Sequence, residues 1–221
     1  VSSIKPVMGV VYFNAAITAC RKGAQWERAL SLLREIGRRS VSPTVLSFGA
    51  TMGVCVRGSK WMCALSLFED VQQSSELELD TVTCSVAVSA WGKGGHWQRS
   101  VDLLGGMRAE RVRPNIICYS TAITACEKAG RWEAGLALLA SAQACRLSAD
   151  TICYSSAISA CERVGLWRRA LGLLGEMLRS EAAPSLVTYS ALSSACAKSG
   201  RWELSLALLA EAERRRLALD A

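Results

Sequence analysis

A basic residue recurs once every 35 or 36 residues along most of this 221-residue chain. We call these six residues the cation row: Lys22, Arg57, Lys93, Lys128, Arg163 and Lys198. Cations at regular intervals suit a regular polyanion, because each cation can meet one phosphate. A cation in the last turn of a helix also complements the helix dipole, with a stabilisation of about 0.3–1 kcal/mol. The sequence leaves both roles open.

Small, mostly polar residues precede each cation by eight and by four positions. Eight positions before the cation lie Asn14, Gly49, Ser85, Ser120, Ser155 and Ser190. Four positions before it lie Thr18, Gly53, Ser89, Thr124, Ser159 and Ser194. A spacing of i, i+4, i+8 puts such residues on one face of a helix. We predict that this face lies opposite the buried stripe and lines a groove together with the cation row.

The composition and the motifs argue against several classes of function. The formal net charge of +7 and the pI of about 9.0 favour a polyanionic partner. No stretch approaches the roughly 18–20 uninterrupted apolar residues of a membrane span. The chain has a single histidine, His96, and no C-x-x-C pair, glycine-rich phosphate loop or recurring carboxylate cluster. We therefore predict no enzyme activity, catalytic residue, metal, cofactor or small-molecule substrate.

The elements that position these residues are tandem repeats, because six tryptophans recur with the same period. They are Trp26, Trp61, Trp97, Trp132, Trp167 and Trp202. This spacing divides the chain into repeats 1 to 6, at 10–44, 45–80, 81–115, 116–150, 151–185 and 186–220. Residues 1–9 are predicted to be the tail of a preceding repeat.

Each repeat reads as two helices separated by a glycine-containing turn. In repeat 4, Tyr119, Ala122, Ile123 and Cys126 fall at i, i+3, i+4, i+7, which is typical of an amphipathic helix. A second helix is predicted with its inner face at Trp132, Gly135, Leu136 and Leu139. The cysteines that recur once per repeat are predicted to be small buried hydrophobes: Cys20, Cys55, Cys126, Cys161 and Cys196. One hairpin cannot bury its apolar face alone, so the sequence predicts an all-α solenoid superhelix of stacked helix-turn-helix hairpins.

Residues 115–123 (NIICYSTAI), 128–133 (KAGRWE) and 186–192 (LVTYSAL) carry a family resemblance. The chain resembles the pentatricopeptide repeat family over residues 10 to 220. Tetratricopeptide repeats are the nearest alternative, with a 34-residue period and their tryptophan in the first helix. The 35-residue period and the tryptophan in the second helix fit that alternative less well.

The spacing of the cation row indicates phosphate contact, and the resemblance implies roles in RNA binding for two further sets of residues. The wedge residues, which would insert between bases, are Val11, Leu46, Val82, Ile117, Ile152 and Val187. From periodicity alone, packing between repeats is the favoured interpretation of these six. The boundary residues, which end each repeat, are Thr44, Asp80, Asn115, Asp150, Ser185 and Asp220. Each would pair with the residue eight positions before the cation to select a base, but all six are also good helix N-cap types.

Particular base preferences are implied by the same resemblance. Ser85 with Asn115 resembles an adenine-preferring pair, and Ser155 with Ser185 resembles a weaker one. Ser120 with Asp150, and Ser190 with Asp220, resemble guanine-preferring pairs. Asn14 with Thr44, and Gly49 with Asp80, depart from the common combinations and receive no base. A purine-rich core follows, written 5′-N-N-A-G-A-G-3′.

The expected function is sequence-selective binding of single-stranded RNA, with about one base per repeat. The resemblance places such activity in the RNA processing, stability, editing or translation of mitochondria or plastids. The alternative is a scaffold that binds other proteins, which α-solenoids commonly are. The two differ in that RNA binding weakens steeply with salt and depends on base order.

Overall fold

A computed structural model describes residues 4–39, 42–74 and 76–215, and these residues form twelve α-helices. The chain divides into two compact units, with the boundary after Pro114. Unit 1 contains α1 (Ile4–Cys20), α2 (Trp26–Arg38), α3 (Val45–Arg57), α4 (Trp61–Gln73), α5 (Thr81–Lys93) and α6 (Trp97–Ala109). Unit 2 contains α7 (Ile116–Lys128), α8 (Trp132–Ala144), α9 (Thr151–Arg163), α10 (Trp167–Arg179), α11 (Leu186–Lys198) and α12 (Trp202–Arg214).

Both units are built from hairpins whose first helices pack side by side. In unit 1, α1 contacts α3 and α3 contacts α5, while α2 and α4 each contact the first helix of the next hairpin. Unit 2 repeats this arrangement, with α7 against α9 and α9 against α11. The fold is therefore the predicted all-α solenoid. The first helix α1 begins at Ile4, so residues 4–9 are helical and continuous with repeat 1.

The core of each hairpin follows the predicted apolar stripe on its first helix. Tyr119, Ala122, Ile123 and Cys126 are all buried, between 0 and 4% exposed. The five recurring cysteines are buried as well, and burial raises the pKa of Cys126 to about 11, which keeps its thiol neutral.

The inner face of the second helix in repeat 4 differs from the prediction. Gly135 and Leu139 are buried as expected, whereas Leu136 is only half-buried and Leu138 takes the buried place. A Cβ at Gly135 would lie 3.8 Å from Cβ of Cys126, which is an ordinary van der Waals distance. The helix therefore turns a slightly different face to the core than the spacing alone indicates.

The recurring tryptophans Trp26 and Trp61 pack against the turn between the two helices of the following repeat. A Cβ at Gly94 would lie 2.9 Å from the Trp61 ring, so glycine is required at this turn. The Lys60 ammonium lies 5.1 Å from the Trp26 ring centroid, within cation–π range. Trp26 and Trp61 thus stabilise stacking between adjacent repeats.

Within the described part of the chain, no helix is both long and apolar enough to cross a membrane.

Candidate nucleic-acid interface

All six wedge residues are exposed, with 56–62% of each residue accessible to solvent. Five of them occupy the second position of a first helix, and Val11 lies further along α1 because that helix begins earlier. Packing between repeats does not account for an aliphatic residue at a position this accessible. Every repeat therefore presents an exposed apolar side chain on its first helix, and in repeats 2 to 6 this side chain lies at the helix start.

The boundary residues cap the first helices. Backbone N–H groups three residues further on donate to the side chains of Thr44 (3.4 Å), Asp80 (2.7 Å), Asn115 (3.1 Å), Asp150 (2.9 Å) and Ser185 (3.4 Å). Asp220 lies outside the described residues. The capping interpretation therefore holds for these five, and each cap satisfies one of the orphan N–H groups of a helix start.

Capping leaves different amounts of hydrogen-bonding capacity on different boundary residues. Oδ1 of Asn115 accepts the cap bond, so its amide nitrogen remains as a donor. Asp150 also accepts at Oδ1, and a carboxylate keeps further acceptor sites on its two oxygens. Ser185 has only its hydroxyl, which is shared in a capping box with Thr188. Aspartate and asparagine can therefore cap a helix and bind a base edge at once, whereas serine and threonine must share one atom.

The polar residues ahead of the cation row lie along the contact between neighbouring first helices. Ser120 is only 7% exposed, and the Ser155 hydroxyl lies 2.9 Å from the Thr188 hydroxyl of the next repeat. Thr124 makes a similar contact with Ser156 at 2.9 Å. The prediction that this face lies opposite the buried stripe is wrong for these residues. Small side chains let successive first helices pack closely, so most of these residues are half-buried or buried, whereas Thr18 and Ser190 are exposed.

Gly49 has no side chain that could pair with the Thr83 hydroxyl of the next repeat. Among the described residues, Thr83 Oγ1 is buried without a hydrogen-bond partner, and a Cβ at Gly49 would lie 3.1 Å from it. We expect Gly49→Ser to stabilise the protein by about 1 kcal/mol, because serine forms helix better than glycine and its hydroxyl can pair with Thr83. The tight contact between the added Cβ and Thr83 Oγ1 offsets part of this gain. Urea unfolding measures the change in the free energy of unfolding.

Gly53→Ser is the matched control for that substitution. Gly53 lies on the same helix, and a Cβ there would meet nothing within 4 Å. This control gains helix propensity but no hydrogen bond, so its stabilisation should be the smaller of the two. Equal gains for both variants would contradict the role assigned to Thr83.

Four side chains of the cation row contact the preceding repeat. Arg57 donates to the carbonyl oxygen of Arg21 at 3.4 Å, and Lys93 donates to that of Val56 at 2.6 Å. In unit 2 the corresponding pairs are ionic: Arg163 with Glu127 at 3.8 Å and Lys198 with Glu162 at 2.5 Å. These cations therefore complement the end of the preceding first helix, rather than only their own as the sequence suggested. Lys22 and Lys128 are also exposed.

Comparison with family models accounts for nearly the whole chain. A pentatricopeptide repeat domain model matches residues 6–58 and 66–129, and a PPR repeat model matches residues 117–144, 152–181 and 187–217. The chain belongs to the pentatricopeptide repeat family. No curated protein sequence matches it.

Solved pentatricopeptide repeat proteins share the fold. The maize protein PPR10 is 25% identical with a TM-score of 0.72, over 94% of this chain and 30% of that one. PPR10 in complex with an 18-nt psaJ RNA element is 24% identical with a TM-score of 0.77, over 99% and 32%. The PPR domain of Arabidopsis thaliana protein-only RNase P 1, in complex with tRNA, is 15% identical with a TM-score of 0.68, over 76% and 89%. The chain thus spans about a third of the PPR10 length.

Two sets of contacts between the pentatricopeptide repeats were not predicted from the sequence. Glu127 and Glu162 each precede a cation-row residue by one position and pair with the cation of the following repeat. Thr188 joins Ser155 to Ser185 through its hydroxyl. The 36-residue separation of each Glu–cation pair was a readable signal, since equivalent residues of adjacent repeats are neighbours once hairpins stack.

Proposed function

We propose that this chain binds single-stranded RNA, with about one base per repeat. The observation that carries the proposal is the exposure of all six wedge residues, each 56–62% accessible. A nucleobase has an apolar face and a polar edge, so it can cover an aliphatic side chain while its edge meets a neighbouring boundary residue. The RNA-bound relatives named above support the same function, since their repeats share this fold.

The capping geometry supports the proposed base preferences. Asn115 keeps an amide donor, which suits the N1 acceptor on the Watson–Crick edge of adenine. Asp150 keeps acceptor capacity, which suits the N1–H donor of guanine. We therefore retain a purine-rich target. Repeats 1 and 2 bind less selectively under this proposal, because Gly49 offers no side chain and Thr44 has a single hydroxyl engaged in its cap.

Within this proposal the repeats act by binding, and any chemistry on the RNA belongs to other proteins or domains. His96 lies in a turn between the edges of the Trp61 and Trp91 rings, with each pair of centroids 5.6 Å apart. That environment packs the imidazole as an aromatic surface residue. We also propose that the protein acts in mitochondria or plastids, on the strength of its family membership.

Selection from a random single-stranded RNA pool tests the proposed function. We expect enrichment of a purine-rich register, together with affinity that falls as salt rises. A protein-binding scaffold would show no dependence on base order and a weaker dependence on salt. Failure to enrich any purine-rich register would overturn the proposal.

A further inference from the structure

Two carboxylates lie directly against the cation row in unit 2. Glu127 and Glu162 are the penultimate residues of α7 and α9. Oε1 of Glu162 accepts from the Lys198 ammonium at 2.5 Å and from the Ser194 hydroxyl at 2.8 Å. Oε1 of Glu127 lies 3.8 Å from the Arg163 guanidinium.

The carboxylates are shielded while their cations are accessible. The side chains of Glu127 and Glu162 are 19% and 20% exposed, whereas those of Arg163 and Lys198 are 49% and 50% exposed. Burial alone would raise the pKa of Glu162, but hydrogen bonds from Lys198 and Ser194 outweigh it and lower the pKa. Glu162 is therefore ionised at neutral pH and offsets the charge of its cation. At Glu127 burial outweighs the nearby Arg163 and raises the pKa, so its effect on its cation is the weaker of the two.

Unit 1 has no such carboxylates at the equivalent positions. Arg21, Val56 and Gly92 occupy these positions. Arg21 and Val56 offer only their backbone carbonyl oxygens to Arg57 and Lys93. A carbonyl oxygen binds a cation without cancelling its charge, whereas a carboxylate cancels it and also repels an incoming phosphate. The two units therefore differ in how much positive charge the cation row presents.

We propose that Glu127 and Glu162 set the affinity of unit 2 for the nucleic-acid backbone, by competing with phosphate for Arg163 and Lys198. This inference rests on the proposed RNA-binding function. The cation-row residues that form no salt bridge among the described residues (Lys22, Arg57, Lys93 and Lys128) then supply most of the backbone affinity. Repeats 5 and 6 contribute chiefly through base contacts, which makes binding there more dependent on sequence.

Neutralising the two carboxylates tests this proposal. Glutamine keeps the size and an acceptor oxygen of glutamate but removes its charge, so Glu127→Gln and Glu162→Gln should leave the fold intact, as thermal melts will check. We expect each single variant to bind a purine-rich single-stranded RNA more tightly at 0.1 M salt, by about 3- to 10-fold for Glu162→Gln and by less for Glu127→Gln, because each neutralised carboxylate frees one cation for phosphate. Four engaged cations predict a slope of log affinity against log salt of about −3, and six predict about −4, since each phosphate contributes roughly −0.7. The double variant should show the steeper slope.

Glu133→Gln and Glu203→Gln are the matched controls, because both residues are exposed in the first turn of a second helix. They change the net charge equally and should alter the affinity and the slope much less. Inorganic polyphosphate serves as a second probe that has no bases, and the double variant should bind it more tightly than the wild type does. If the double variant matches its controls with both probes, the proposed role of Glu127 and Glu162 is overturned. Enhanced polyphosphate binding without any RNA register selected by the wild type would instead overturn the proposed function alone.

Discussion

Ile152→Ser is expected to weaken RNA binding about 5- to 100-fold while leaving the fold intact. Ile152 is 58% exposed, so the folded protein loses little buried apolar surface when the side chain is shortened. A base in contact with this side chain loses its apolar support, and covering an aliphatic side chain of this size contributes about 1–3 kcal/mol. Fluorescence anisotropy with a labelled purine-rich RNA measures the affinity, and thermal melts measure the fold.

Leu178→Ser is the control for that experiment. Leu178 is also exposed, at 40%, but it lies on the second helix α10 and is not a wedge residue. We expect its RNA affinity to stay within about twofold of the wild type. A comparable loss in both variants would show that general surface apolarity, rather than the wedge position, governs binding.

Asp150→Asn is expected to switch the preferred base of repeat 4 from guanine to adenine. Both residue types cap a first helix in this protein, Asp150 at 2.9 Å and Asn115 at 3.1 Å, so the helix start should be kept. The substitution places an amide donor where an acceptor was, which opposes the N1–H donor of guanine and suits the N1 acceptor of adenine. A mismatch of this kind costs about 1–3 kcal/mol, or about 5- to 100-fold in relative affinity.

Four RNAs that differ only at the base of repeat 4 measure this switch. Asp102→Asn is the charge-matched control, because Asp102 is exposed on the second helix α6 and should raise the affinity for all four RNAs alike. If Asp150→Asn also changed all four affinities by one common factor, Asp150 would be a helix cap with no part in base selection.

Local sequence determined the repeat and its two helices. The buried stripe of repeat 4 follows from the i, i+3, i+4, i+7 spacing of Tyr119, Ala122, Ile123 and Cys126, and that spacing alone makes a helix amphipathic. The caps at the boundary residues were also readable, because an N-cap bond joins residues only three apart. Such features depend on a few neighbouring residues, so no knowledge of the stacking was needed.

Stacking of the hairpins decided the rest. Periodicity is the same for an aliphatic residue that packs between repeats and for one that faces solvent, so only the tertiary structure shows that Ile152 is exposed. The Ser155–Thr188 and Lys198–Glu162 contacts join residues 33 and 36 positions apart. Such contacts depend on the angle and distance at which one first helix packs on the next. The sequence by itself thus determined a row of cations, and the tertiary structure decided which of them a carboxylate already holds.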